Sequence, residues 1–421
     1  MIDDFLRVDP RAFRHRPGRA CLPTRKICKE FILKAYLKTG GVACLAACLL
    51  ATTPALAKTF VYVSDAEDGV IDGYSMNMAN GVLTPLGKTK AGTLVMPMTV
   101  SPNKRFLYAV VRSQPLRVVT YAIDPASGAL TEKATAPLPD SMAYVSTDAT
   151  GRFLFTASYG GDKIAVSPIE ANGLATSEAS QVIPTGKNAH SIRADRSNHF
   201  VYATNLGSSQ ILEYTFDAGS GTLTPNDPPM IKVKPDNGPR HIAISPDNRY
   251  LYTIGELSGN ITQFAIDPKK GVLTELDYVG TIPADSGLMP GAAREAMAAT
   301  ATSGANTAIA GDDGRPKVWA ADIQMTPNGK FVYATERTKS HIALLSVASK
   351  TGKLTYVTNF PTEAQPRGIR IDPEGKYLVA AGQKSDHIAS YKIDPKTGKL
   401  SLIGRFPVGH DANWVEIVTL P

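Results

Sequence analysis

From residue 58 to residue 421 the chain alternates short apolar runs with clusters of Pro, Asp, Asn and Gly. No stretch sustains the 3.6-residue period of an amphipathic helix, so the elements expected are strands joined by tight turns. One apolar triplet recurs: Phe60-Val61-Tyr62, Phe106-Leu107-Tyr108, Phe153-Leu154-Phe155, Phe200-Val201-Tyr202, Tyr250-Leu251-Tyr252, Phe331-Val332-Tyr333 and Tyr377-Leu378-Val379. The last residues of these triplets lie 46, 47, 47, 50, 81 and 46 apart. A turn precedes six of the seven, as in Ser101-Pro102-Asn103-Lys104-Arg105 and Asp372-Pro373-Glu374-Gly375-Lys376. Pro presets φ there, and Asp, Asn or Gly closes the hairpin. A second hairpin follows each triplet, as in Ile123-Asp124-Pro125 to Gly128-Ala129-Leu130 and Ile266-Asp267-Pro268 to Gly271-Val272-Leu273; the copy near Pro168 is degenerate.

Each unit therefore predicts four antiparallel strands, which cannot bury both faces alone. Packing seven such units around an axis buries them and leaves only short edges. The fold expected is all-β, a seven-bladed β-propeller over 58–421. A solenoid would need capping repeats, whereas this chain starts on a triplet strand at Phe60 and ends on an inner-type strand, Trp414 to Val418. The two ends are thus expected to share one blade and close the ring. The 81-residue interval contains an insertion at about 285–317, rich in Ala, Gly, Ser and Thr. It reads as a surface loop or as a flap over the central opening.

Charge changes the picture only at the N-terminus. The formal charge is +7, but residues 1–57 hold ten Lys or Arg against four Asp or Glu. The remaining body is near neutral with no basic run, which argues against nucleic acid. Lys34 and Lys38, the apolar stretch Gly40–Ala51 and the small residues of Ala55-Leu56-Ala57 read as an export signal cleaved after Ala57. The apolar run is too short for a membrane span. A lipoprotein is the alternative, since Leu45-Ala46-Ala47-Cys48 has the pattern of a lipidation box. All four cysteines precede the cleavage point, so the mature chain has no thiol nucleophile or thiolate metal site and suits an oxidising periplasm.

In a propeller, the start of each innermost strand and the end of the triplet strand meet on one face of the disc. Aligning the repeats gives a first ring of Met96, Met142, His190, Arg240, Ala321, Arg367 and Asn413, with His241, Asp322 and Trp414 as neighbours. A second ring includes Arg112, Tyr159, Leu206, Glu256, Arg337 and Gln383, with Glu336 and His410 next to it. Convergent polar groups in a concave opening are the default binding site, although a water-filled channel also recruits polar side chains. Two guanidinium groups aimed at one mouth repel unless an anion or a carboxylate offsets them; Asp322, Glu256 and Glu336 could do so. No His/Asp/Glu cluster has a local metal spacing, and there is no Gly-rich phosphate loop or nucleophile elbow; neither metal nor cofactor is expected.

Several stretches carry a resemblance: Met96-Pro97-Met98-Thr99-Val100-Ser101-Pro102, Gly238-Pro239-Arg240-His241, Trp319-Ala320-Ala321-Asp322-Ile323, Thr362-Glu363-Ala364-Gln365-Pro366-Arg367-Gly368 and Ala380-Ala381-Gly382-Gln383-Lys384-Ser385. Through them the chain resembles the β-propeller lactonase family, which includes 6-phosphogluconolactonase and fungal carboxymuconate lactonizing enzymes. The resemblance implies hydrolysis of a sugar lactone, with His190, Glu256, Arg240 and Arg367 as catalytic residues. Arg112, His241, Asp322, Glu336, Arg337, Gln383 and His410 are then expected to bind the substrate. An exported enzyme favours an unphosphorylated aldono-1,5-lactone over the 6-phosphate. A lactonizing cycloisomerase and a non-catalytic scaffold propeller are the rival readings, and a monomer or weak dimer is the expected state.

Overall fold

The computed structural model describes residues 57–294 and 314–421. Of the features read above, the export signal and Cys48 lie outside the described residues, as does the middle of the insertion. Every regular element described is a strand, and the strands form seven four-stranded antiparallel sheets. The innermost strands are Val95–Val100, Met142–Thr147, Ala189–Ala194, Pro239–Ile244, Ala320–Met325, Pro366–Ile371 and Ala412–Leu420, which begin blades 1 to 7 in that order. In blade 7 the C-terminal strand is innermost and pairs antiparallel with Lys58–Asp65, placing Phe60 opposite Val418. The two ends of the chain therefore close the ring.

The triplets repeat because each makes the same contact with the next blade. The hydroxyl of the third residue donates to a glycine carbonyl in the neighbouring outer hairpin: Tyr62 to Gly128, Tyr108 to Gly173 and Tyr202 to Gly271, each at 2.8 Å. Tyr252 and Tyr333 do the same to Gly352 and Gly398. Phe155 and Val379 have no hydroxyl, which accounts for the two triplets that depart from the pattern. The first residue of the triplet packs on the same glycine. A methyl group on Gly128 would overlap the ring of Phe60, and one on Gly271 the ring of Phe200. Both glycines have left-handed backbone, φ 74° and 68°.

One irregularity recurs in all seven blades and positions the site. Near its start each innermost strand carries one extra residue relative to its partner, a β-bulge. Five of the strands are entered through a left-handed residue: Leu94, Asn188, Gly238, Gln365 or Asp411. A bulge re-aims a side chain that the pleat would otherwise bury between blades. In blade 2 the bulged residue is Ala143, because Met142 pairs with Ser158 and Tyr144 with Ala157. The ring position expected for Met142 is therefore corrected to Ala143. A one-residue slip reverses the face, so Met142 packs in the core against Val110 and Val145.

Candidate active site

The bulges turn His190, Arg240 and Arg367 toward one mouth of the central channel. The second ring meets them there through shared backbone bonds: the amides of Arg112, Glu256, Arg337 and Gln383 donate to the carbonyls of Leu94, Gly238, Trp319 and Gln365. These carbonyls belong to the residues that lead into the innermost strands.

Glu256 is the hub. Its Oε2 accepts from Arg240 Nε at 2.7 Å and from Arg337 Nη2 at 2.8 Å, with all three side chains buried. Burial alone would raise the Glu256 carboxyl, but Arg337, Arg240 and Arg367 hold it below the ordinary range. Arg337 is fixed further by the carbonyls of Trp319 and Ala320. Arg240 Nη1 donates to the Ala321 carbonyl at 2.6 Å and to His241 Nε2 at 3.0 Å. His241 Nδ1 in turn donates to Asp322 Oδ1 at 2.9 Å. Burial, then the charge of Arg240, pushes His241 down to about 4 against the opposing pull of Asp322, so the ring is neutral near pH 7.

Several polar edges of this mouth have no hydrogen-bond partner among the described residues. Arg240 Nη2 makes no hydrogen bond among the described residues, and neither nitrogen of His190 does, although His190 is only 4% exposed. Arg367, partly exposed at the opening, also donates to no described residue; burial of its head, then Arg240 and Arg112, pull it down to about 9. Among the described residues the Arg112 guanidinium is bonded only to Ser141 Oγ and Met96 Sδ, and burial lowers it to about 10. For His190 the order is burial, then Arg240, His241 and Arg367, and together they push it well below its ordinary value. The site thus offers one neutral imidazole with open nitrogens, facing cations with open N–H edges.

Other residues read from the sequence sit differently. Glu336 spends its oxygens on the amides of Trp319, Thr338 and Lys339, which fixes the turn after the triplet strand. Gln383 Nε2 donates to Asp411 Oδ1 at 2.8 Å beside the mouth. His410 is exposed on the rim, where its hydrogen bond with Asp68 raises its pKa, and it is not part of the buried cluster.

The structure joins Tyr159 and Trp414, read above near the two rings, with two residues not singled out there, Tyr144 and Arg294. Tyr159, Tyr144 and Trp414 pack edge-on around the two histidines, with His190 and His241 themselves 5.2 Å apart. Trp319 lies between two guanidinium groups, those of Arg294 at 3.6 Å and Arg337 at 3.7 Å. Arg294 belongs to the insertion, and its carbonyl accepts from the Tyr159 hydroxyl at 2.8 Å. The first part of the insertion therefore runs to the mouth. Tyr144 could have been found from its place beside the bulge; nothing in the repeat could have located Arg294. Among the described residues no group of three or more His, Asp or Glu is placed to hold a metal, and no helix is long and apolar enough to cross a membrane.

The sequence profile of the family described as "Lactonase, 7-bladed beta-propeller" matches residues 60–417. The 6-phosphogluconolactonase of Pectobacterium carotovorum subsp. carotovorum is 37% identical over 311 residues, covering 74% of this chain and 84% of that one. That of Erwinia tasmaniensis is 37% identical over 314 residues, 75% and 84% of the two chains. Among solved structures, the periplasmic gluconolactonase of Pseudomonas aeruginosa superposes with a TM-score of 0.72 at 23% identity, covering 87% of this chain and 100% of that one, a likeness of fold.

Proposed function

The chain belongs to the seven-bladed β-propeller lactonase family, and from that premise we propose that it opens an aldono-1,5-lactone to the aldonic acid with His190 as general base. The observation that carries this reading is the single unbonded imidazole at the mouth, beside the free edges of Arg240 and Arg367. Water bound to His190 loses its proton as its oxygen bonds to C1 of the lactone. The open Nη2 edge of Arg240, with Arg367, stabilises the oxyanion that develops. Collapse breaks the bond from C1 to the ring oxygen, and His190 returns the proton to that oxygen. Because His190 is held neutral, it is in its basic form throughout the neutral range. Glu256 is occupied by two guanidinium groups and serves to hold them. A non-catalytic scaffold gives no reason to bury unbonded His190 and Arg367 atoms at one opening.

Residues 1–57 read as an export leader, and the site of action proposed is the periplasm, with an unphosphorylated lactone as substrate. A phosphorylated lactone is the second reading. It is favoured by Arg112 and Arg367, which lie near one another with no carboxylate in ion-pairing contact among the described residues, and by the relatives named 6-phosphogluconolactonase. The test is acid release in a pH-stat with glucono-1,5-lactone and with its 6-phosphate, with and without chelator. The reading expects release above the spontaneous rate with the unphosphorylated lactone, unaffected by chelator. It also expects a loss of about 100-fold or more in kcat for His190→Ala. No release with either lactone, or full activity in that variant, would overturn it.

A further inference from the structure

Asp322 and His241 were expected at the substrate, yet they are turned to each other, and His241 also to Arg240. Asp322 Oδ1 accepts the Ile323 amide at 2.8 Å as well as His241 Nδ1, and Oδ2 accepts the Ile369 amide at 3.0 Å. Asp322 is only 7% exposed. Burial would raise its carboxyl, but the hydrogen bond and charge of His241, the Ile369 amide and the charge of Arg240 together hold it below the ordinary range. An ionised carboxylate accepts only, so the His241 proton must sit on Nδ1. Nε2 is then a bare lone pair, and it faces an Nη1–H of Arg240 at 3.0 Å.

The consequence for Arg240 follows from counting its five N–H donors. Nε is taken by Glu256, and the two of Nη1 by His241 and the Ala321 carbonyl. Only Nη2 remains, so the planar group has one orientation and presents one edge. Were the proton on Nε2 instead, two N–H groups would face each other at that distance, and the guanidinium would have to rotate away.

We propose that Asp322 and His241 are positioning residues: Asp322 fixes the tautomer of His241, and His241 in turn fixes the edge that Arg240 presents to the developing oxyanion. This rests on the lactonase reading above for its chemistry, but the tautomer itself does not. The assignment makes His241 a hydrogen-bond bridge and gives it no proton to transfer.

Two measurements on the full chain test it. The first is ¹⁵N NMR of histidine-labelled protein at pH 7, where the His241 signal must report a protonated Nδ1 and a bare Nε2. The opposite tautomer or an imidazolium overturns the proposal. It does so whether or not the protein hydrolyses any lactone, whereas loss of the lactonase reading alone would leave the tautomer in place. The second compares His241→Leu with His241→Gln. The Gln amide can donate to Asp322 and accept from Arg240, while Leu can do neither. The Leu variant should lose about 100-fold in kcat, the cost of a misplaced oxyanion donor, with KM changed by less than about threefold. The Gln variant should recover to within about tenfold of wild type. A Gln variant as impaired as Leu means the imidazole itself reacts, and a Leu variant with wild-type kcat means the bridge is idle; either result overturns the proposal.

Discussion

Glu256 holds Arg240 through a single oxygen, Oε2, the same atom that accepts from Arg337. Replacing Glu256 with Gln keeps an acceptor but removes the carboxylate that both buried cations share. Breaking a buried ion pair on one side costs about 3–5 kcal/mol, because the other charge stays buried. We expect Glu256→Gln to lose roughly that much in urea unfolding. Replacing Arg337 as well, with Met, should recover part of the loss.

Arg367 should behave in the opposite way. Its guanidinium has no bonded partner among the described residues and is repelled by Arg240 and Arg112. Arg367→Met is expected to leave stability unchanged or to raise it by about 1 kcal/mol, while kcat/KM falls about 100-fold or more. Thermal unfolding and initial rates on one preparation check both. A large loss of stability would mean that Arg367 is structural.

Gly271 is required by its neighbour Phe200. An alanine there meets both a left-handed backbone, φ 68°, and overlap with the ring. Gly271→Ala should cost more than about 2 kcal/mol, and Tyr202→Phe, which loses only the hydroxyl bond to the same turn, about 1 kcal/mol. Denaturant titration of the two variants gives this order if the clasp between blades is built as described.

Glu213 is fully buried on the third strand of blade 3, and burial raises its carboxyl to about 7. Unfolded, it titrates near 4.5. Between these values the unfolded chain releases a proton that the folded chain keeps, so this group's contribution falls as pH rises and levels off above about 7. Glu213→Gln removes the penalty and leaves an acceptor for the Leu273 amide. The variant should match wild type near pH 4 and exceed it by about 3 kcal/mol at pH 8, in stability measured across that range.

Closure can be tested directly. Removing Ala412–Pro421 deletes the innermost strand of blade 7 and exposes Val61, Val63 and Tyr74, which pack against Val415 and Ile417. The truncated chain should be insoluble or partly unfolded on gel filtration; a monodisperse, cooperatively unfolding product would contradict closure by this strand.

The number of blades, the closure of the ring and the positions near the mouth were legible in the sequence, because they follow from local chemistry. Strand period, Pro–Asp turns, an aromatic and a glycine are each written within a few residues and repeated in every blade. Tertiary structure decided which polar atoms at the mouth are paired. Arg240 with the Ala321 carbonyl, His241 with Asp322, and Glu256 with Arg337 are each 81 residues apart, contacts between blades 4 and 5 across the insertion. No local pattern distinguishes the guanidinium that finds a carboxylate from the one that does not, and the choice between Met142 and Ala143 turned on a one-residue bulge. Pairing of buried charge depends on distances of a few tenths of an ångström between chain segments far apart in sequence, and only the closed ring fixes those distances.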